Sequence, residues 1–235
     1  MECVAEIGRD ADLTNIVAAF RRKLPSGVRD AAENTLLACA QAAASSADDP
    51  VVTALMELAG SMSGKNDRYY AALIAAVGAQ HFPGATPFGA LMALGETLSE
   101  DARLTAFAIG CEVNVRLAGV LRAQLDRGWD ASGVAGVIGS SVTAALLLGP
   151  EEPMVARAIG IASSMTLGQR IADGTPSARL IAGKASSNGV LAALLAQRTF
   201  TGPAGLESPR GYSTVFDAAN VSEAFADLGE RWTFA

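Results

Sequence analysis

The sequence predicts an all-α fold, a single helical domain over residues 1–235, and three observations carry that prediction. Apolar residues recur at helical spacing, as in Leu13, Ile16, Val17 and Phe20, which stand at i, i+3, i+4 and i+7. Proline, glycine and capping residues punctuate the chain where helices start and stop. Period-two alternation bounded by turn dipeptides, the mark of paired strands, is missing.

Taken in order, the first helix carries the Leu13–Phe20 stripe and stops at Pro25 and Gly27. A second runs from about Val28 through the alanines before Ser45. Asp49 is a natural N-cap with Pro50 at the first helical position, opening a helix over Val51 to Leu58. Gly60 to Asn66 reads as a loop, Tyr70 to Ala79 as a helix, and the PGATP stretch as a break before a helix over Phe88 to Leu98. Ser99 caps the next helix, with Glu100 and Asp101 at the positive end of its dipole, and it extends to Leu125. Asp126-Arg127-Gly128 stops it. Ala131 to Leu148 is an apolar helix closed by Gly149 and Pro150. Pro153 opens another to about Thr166. Gly168 to Gly183 is the longest expected irregular segment, Ala185 to Ala196 is helical, and the rest is loop-rich with a short helix around Ser222 to Leu228.

Composition narrows the class of function. Half the residues are hydrophobic and 18% are charged, which is globular, and the length suffices for a large core. A net charge of −6 with scattered basic residues argues against a nucleic-acid partner, since an acidic surface repels phosphates. Ala131–Leu148 raises the question of a membrane span, but its serines, threonine and glycines favour a central helix closely packed through small residues. Cys3, Cys39 and Cys111 form no CxxC, so no disulfide framework or zinc site is expected. The N-terminal MECVAEIGRD lacks a charged region followed by an apolar run, so a cytoplasmic protein without a signal peptide is expected.

Three segments carry candidate chemistry. His81 is the chain's one histidine, with an unperturbed pKa near neutrality, and it precedes the Phe82-Pro83-Gly84 turn. It is either a general base facing a cleft or a histidine bonded at a helix end. The Ser164–Gly189 stretch gathers Arg170, Arg179 and Lys184 beside serines and glycines. Lys184, one of three lysines, is expected to open a helix, where a bound anion would offset its clash with the dipole. The alternative is a solvated loop. In Arg127-Gly128-Trp129-Asp130, Trp129 is either a pocket wall or a buried indole, and Asp130 either an acid–base group or an N-cap. The glycines match neither a P-loop nor a dinucleotide fingerprint, so no nucleotide cofactor is expected.

In chain order, these segments resemble the MmgE/PrpD (2-methylcitrate dehydratase-like) family. RGWDASGVAGVIGSSVTAALLLG is similar to its Arg-Gly-Phe-His-Pro-Thr followed by a Gly/Ala-rich helix ending Leu-Leu-Gly-Leu. ARLIAGKASSNGVLAALLAQRTFTGPAGLESPRGYSTVF is similar to its Lys-Arg-Leu-His-Ala-Gly-Arg-Ala-Ala…Gly-Val-Leu-Ala-Ala-Leu-Leu-Ala…Phe-Thr-Gly-Pro…Arg-Gly-Phe. LTNIVAAFRRKLPSGVRDAAENTLLACA and the late LGERW also fit. The resemblance implies an all-helical domain whose relatives also carry an α+β lid, and this chain stops near where the lid would begin. It further implies dehydration, decarboxylation or epimerisation beside carboxylates, without metal or organic cofactor, commonly by a homodimer.

The chain departs from that pattern at the reacting groups. The family's His-containing stretch is largely deleted between Gly78 and Phe88, leaving His81 to match one of two histidines. Asp130 stands at the Gly-Phe-His histidine, Ala178 at the lysine before Arg-Leu, and Ile181 at the following histidine. Arg179 and Lys184 keep their charge. The resemblance puts a pocket between the His81 turn, the Trp129–Ser132 helix start and the Gln169–Lys184 segment. His81, Asp130 and Lys184 are then the catalytic candidates; Trp129, Ser132, Gln169, Arg170 and Arg179 are the substrate-binding ones. Two functions are compatible with this pattern. One is a divergent, cofactor-independent enzyme promoting elimination, isomerisation or cyclisation of a small anionic substrate, such as a biosynthetic intermediate. The other is a catalytically inert binding protein, or a subunit whose lid is on another chain.

Overall fold

The computed structural model describes residues 11–62, 67–80, 82–203, 205–207, 210–218 and 221–234. These form helices α1 (Ala11–Phe20), α2 (Ser26–Ser45), α3 (Pro50–Met62), α4 (Arg68–Gly78), α5 (Ala85–Leu94), α6 (Glu100–Val120), α7 (Arg122–Asp126), α8 (Val137–Leu148), α9 (Glu152–Ser163), α10 (Pro176–Gln197) and α11 (Tyr212–Val215). Among the described residues there is no β-strand, only isolated bridges. Side-chain caps open several helices. Asp49 Oδ1 accepts from the Val51 amide at 2.8 Å, Asp67 from Tyr69 and Tyr70, and Ser99 Oγ from Ala102.

Helix α8 forms the centre, with Val137 to Leu147 all buried. It packs against α10, α6, α5 and α9. Small residues allow the close approach: a Cβ on Gly139 would stand 2.6 Å from the Gly110 carbonyl oxygen of α6. No helix among the described residues is long and apolar enough to cross a membrane. Residues 224–234 are tied to this core by polar bonds. Glu112 of α6 is fully buried and accepts from the Thr233 and Phe234 amides at 2.8–2.9 Å.

Several helix limits differ from those the sequence predicts. Helix α3 runs on to Met62 through Gly60, beside which there is open space rather than a turn. The PGATP break is confined to its front, because α5 begins at Ala85 and Pro87 lies in the first turn, where its absent N–H has no helical partner to lose. That helix also ends at Leu94, followed by a 3-10 turn over Gly95–Thr97. The long helix expected to reach Leu125 breaks at Leu121, and α7 comes after it, its Gln124 buried and donating to the Asp217 carbonyl. Helix α9 stops at Ser163, where the Ser163 and Ser164 hydroxyls fold back onto Gly160 and Ile161 carbonyls. Ser132–Gly136, expected as plain α-helix, is a π-helical turn.

The largest correction concerns α10. It starts at Pro176, eight residues before Lys184, so Lys184 sits in its middle and does not open it. Thr175 is extended and Pro176 takes the first helical position, a start signal that outweighs the glycines of the segment expected to be irregular. Gly183 is a packing glycine, not a breaker. A Cβ there would stand 2.6 Å from a Val77 methyl carbon and 2.9 Å from the Leu73 carbonyl oxygen.

Candidate active site

Two stretches about forty residues apart are stitched together beside the start of α8. Arg170 N donates to the Gly128 carbonyl at 2.8 Å and Asp130 N to the Gly168 carbonyl at 3.2 Å, bridging Trp129 and Gln169 in antiparallel fashion. Asp130 then caps the turn after it, its Oδ1 accepting from the Ser132 and Gly133 amides at 2.8 and 3.2 Å. The π turn begins there, and π turns are frequent at functional sites because they redirect side chains and carbonyls out of helical register. The buried Tyr212 hydroxyl donates to the Val134 carbonyl at 2.8 Å, and burial pushes its pKa up.

Beside this junction lies a cleft of about 660 Å³. Its walls come from the start of α3, from Gln80 after α4, from Asp130 and Ser132, from the 173–175 loop, and from the first turns of α10. Among the described residues lining it, Asp49, Asp130 and Asp173 are anionic and Arg179 is cationic. Arg179 Nη1 pairs with Asp49 Oδ1 at 2.6 Å, and Nη2 donates to the Val77 carbonyl at 3.4 Å. The Arg179 guanidinium, followed by the Val51 amide, holds the Asp49 carboxyl below its usual range. Asp173 pairs with Arg170 at 3.1 Å. Asp130 makes no ion pair among the described residues, which leaves it as a carboxylate whose charge is met only by two backbone amides.

The sequence-derived candidates divide accordingly. Asp130, Ser132 and Arg179 line the cleft. Trp129, Gln169 and Arg170 stand beside it without lining it. Trp129 packs edge-on against Phe216 at 5.2 Å, and Gln169 and Arg170 are exposed. Lys184 is exposed and lies about 200° around α10 from the lining residue Ala182, so it faces away from the cleft. His81 lies outside the described residues. The sequence marks Asp49 only as a helix cap and carries no sign of a role for Asp173 or Gln80. Nothing local ties Asp49 to an arginine so much later in the chain.

A second cleft of about 390 Å³ lies between α2, the 82–83 turn, α6 and Thr233-Phe234. No ionisable side chain is among the described residues lining it, so it offers shape without acid–base chemistry. Among the described residues no group of three or more His, Cys, Asp or Glu could hold a metal ion.

The profile of the MmgE/PrpD N-terminal domain matches residues 77–223, more than half of the chain. The chain belongs to the MmgE/PrpD family. Comparison with curated proteins returns no match. The matched MmgE/PrpD region contains most of the larger cleft's wall, from Gln80 to Ala182, while Asp49, Pro50 and Val51 lie before it. Of the three residues that the sequence resemblance sets against family histidine or lysine, Asp130 and Ala178 line the cleft, and Ile181 is buried as an apolar side chain.

Proposed function

We propose that this MmgE/PrpD chain is a divergent, cofactor-independent enzyme that moves a proton on a small anionic molecule, in an elimination, isomerisation or cyclisation. What supports the reading is one observation: Asp130, a carboxylate without an ion-pair partner among the described residues, shares a cleft with the guanidinium of Arg179. Arg179 holds the substrate's anionic group, and Asp130 takes or returns a proton at the neighbouring carbon or oxygen. Ser132 and Thr175 supply hydroxyls to orient the rest of the molecule. His81, which comes directly after the lining residue Gln80 in the chain, is the second proton-moving candidate on sequence grounds, its free pKa being near neutrality.

The test is an incubation of the purified protein with a panel of small carboxylic and keto acids in deuterated water, then proton nuclear magnetic resonance. Conversion of one compound, or exchange of its proton beside the carboxylate, is expected. Asp130→Asn, which keeps the capping acceptor, should slow it by roughly a hundredfold. A protein that binds panel members yet neither converts nor exchanges any of them would be an inert binder.

A further inference from the structure

We infer that Asp49 is an internal competitor for the ligand's anionic group, and that Asp130 and Asp173 in the same wall limit the cleft to molecules carrying one carboxylate. The inference rests on the cleft being the substrate site and on three further observations.

The first is the state of Arg179. Its side chain is only 15% exposed, and Asp49 Oδ1 sits 2.6 Å from Nη1. Nη2 reaches the Val77 carbonyl at 3.4 Å, near the outer limit of a hydrogen bond. Nε is closed off from solvent and has no acceptor. The resting pair therefore leaves one donor of a five-donor fork buried and unmade, an arrangement that costs stability. An incoming carboxylate that takes over the Nη1 contact Asp49 now holds would replace one ion pair with another on the same guanidinium.

The second is the position of Asp49. It is the residue that starts α3, and its Oδ1 also accepts from the Val51 amide at 2.8 Å. It therefore has a second partner to keep when it lets go of Arg179. Release costs Asp49 one of two contacts, not both, so the arginine can pass to an incoming carboxylate without leaving a bare anion in the wall.

The third is the charge of the remaining wall. Asp130 and Asp173 line the same cleft, and Asp130 has no cation beside it among the described residues. A ligand's first carboxylate finds Arg179. A second would share the cleft with Asp130 and Asp173, and like charges repel.

The experiment is calorimetric titration of propionate and succinate into the wild type, Asp49→Asn and the double variant Asp49→Asn/Arg179→Met. Asparagine keeps an acceptor for the Val51 amide, and circular dichroism melting verifies that each variant is folded. If the pair is closed about nine-tenths of the time, freeing Arg179 strengthens binding about tenfold. Propionate should thus bind Asp49→Asn about tenfold more tightly than the wild type, and the double variant should lose that gain. Succinate should bind more weakly than propionate in every form. The Arg179 Nε–H resonance, tracked with nitrogen-15 labelling, should move on adding propionate.

Equal propionate affinity in wild type and Asp49→Asn overturns the competitor role, as does no binding to either, or retention of the gain without Arg179. Succinate binding as tightly as propionate overturns the limit to one carboxylate. These are binding measurements, so a protein that fails to turn over any compound leaves their outcome intact.

Discussion

Arg116 donates to Glu112 from one turn further along α6, with Nε 2.5 Å from Oε1, and neither side chain is more than 7% exposed. The same guanidinium reaches Asp227 at 2.6 Å, the Ala224 carbonyl at 3.0 Å and the Arg231 carbonyl. Glu112 accepts its other bonds from the Thr233 and Phe234 amides. One buried ion pair thus fastens residues 224–234 to the central layer of helices.

Removing half of that pair should be costly. Glu112→Ala leaves Arg116 with Asp227 as its remaining carboxylate and strands two amides, and breaking a buried pair costs about 3 kcal/mol or more. In a chain of this size that is roughly a 6–12 °C fall in melting temperature. A fall of under about 2 °C by calorimetry would mean the pair contributes little.

Acid should weaken the fold through two carboxylates. Arg116 holds the Asp227 carboxyl below its ordinary range, and Arg179 does the same for Asp49. A carboxyl lowered in the folded state adds stability that is fully present above its unfolded value, near pH 4, and is lost as the pH falls through the folded value. The stability gap between wild type and Asp227→Asn should therefore be constant from about pH 7 to about 5 and shrink below about 4. Urea midpoints across that range measure it, and a gap that widens in acid would contradict the assignment.

The two described cysteines should be inert in the native protein. Burial pushes the Cys39 thiol up to about 12 and lifts that of Cys111 well above its usual value, and neither side chain is exposed. Since the thiolate is the reactive form, iodoacetamide at about pH 8 should label both only after denaturation. Peptide mapping by mass spectrometry checks this, and native labelling of Cys39 within minutes would show that α2 opens locally.

The dehydration of 2-methylcitrate and the decarboxylation of cis-aconitate, reactions associated with relatives, should be negligible. By the sequence resemblance, Asp130, Ala178 and Ile181 stand where the MmgE/PrpD motifs carry histidine or lysine, and Ile181 is buried. Both compounds also bring several carboxylates to a wall that already holds Asp49, Asp130 and Asp173. Formation of either product at an enzymatic rate would refute this.

Lys184→Ala should leave ligand affinity within about twofold of wild type, because that side chain projects from α10 away from the cleft. Arg179→Met should abolish binding of a small carboxylate. A loss of affinity in Lys184→Ala comparable to that in Arg179→Met would place the anion site on the other face of the helix.

The helices themselves were legible in the sequence because their signals are short-range. A cap such as Ser99 or Asp49 acts on amides two or three residues away, and a stripe such as Ile16, Val17 and Phe20 needs only the helical repeat. The MmgE/PrpD motifs likewise brought Asp130, Ser132 and Arg179 to notice. What only the tertiary structure decided depends on contacts between distant segments. Gly183 reads locally as a breaker, yet it lies within α10 because Val77 and Leu73 need its missing side chain. Once that helix is continuous, its rotation turns Lys184 outward and Arg179 toward the cleft. Asp49 reads locally as a cap and remains one, but folding brings it to Arg179, and only that meeting determines how much positive charge the cleft can offer a ligand.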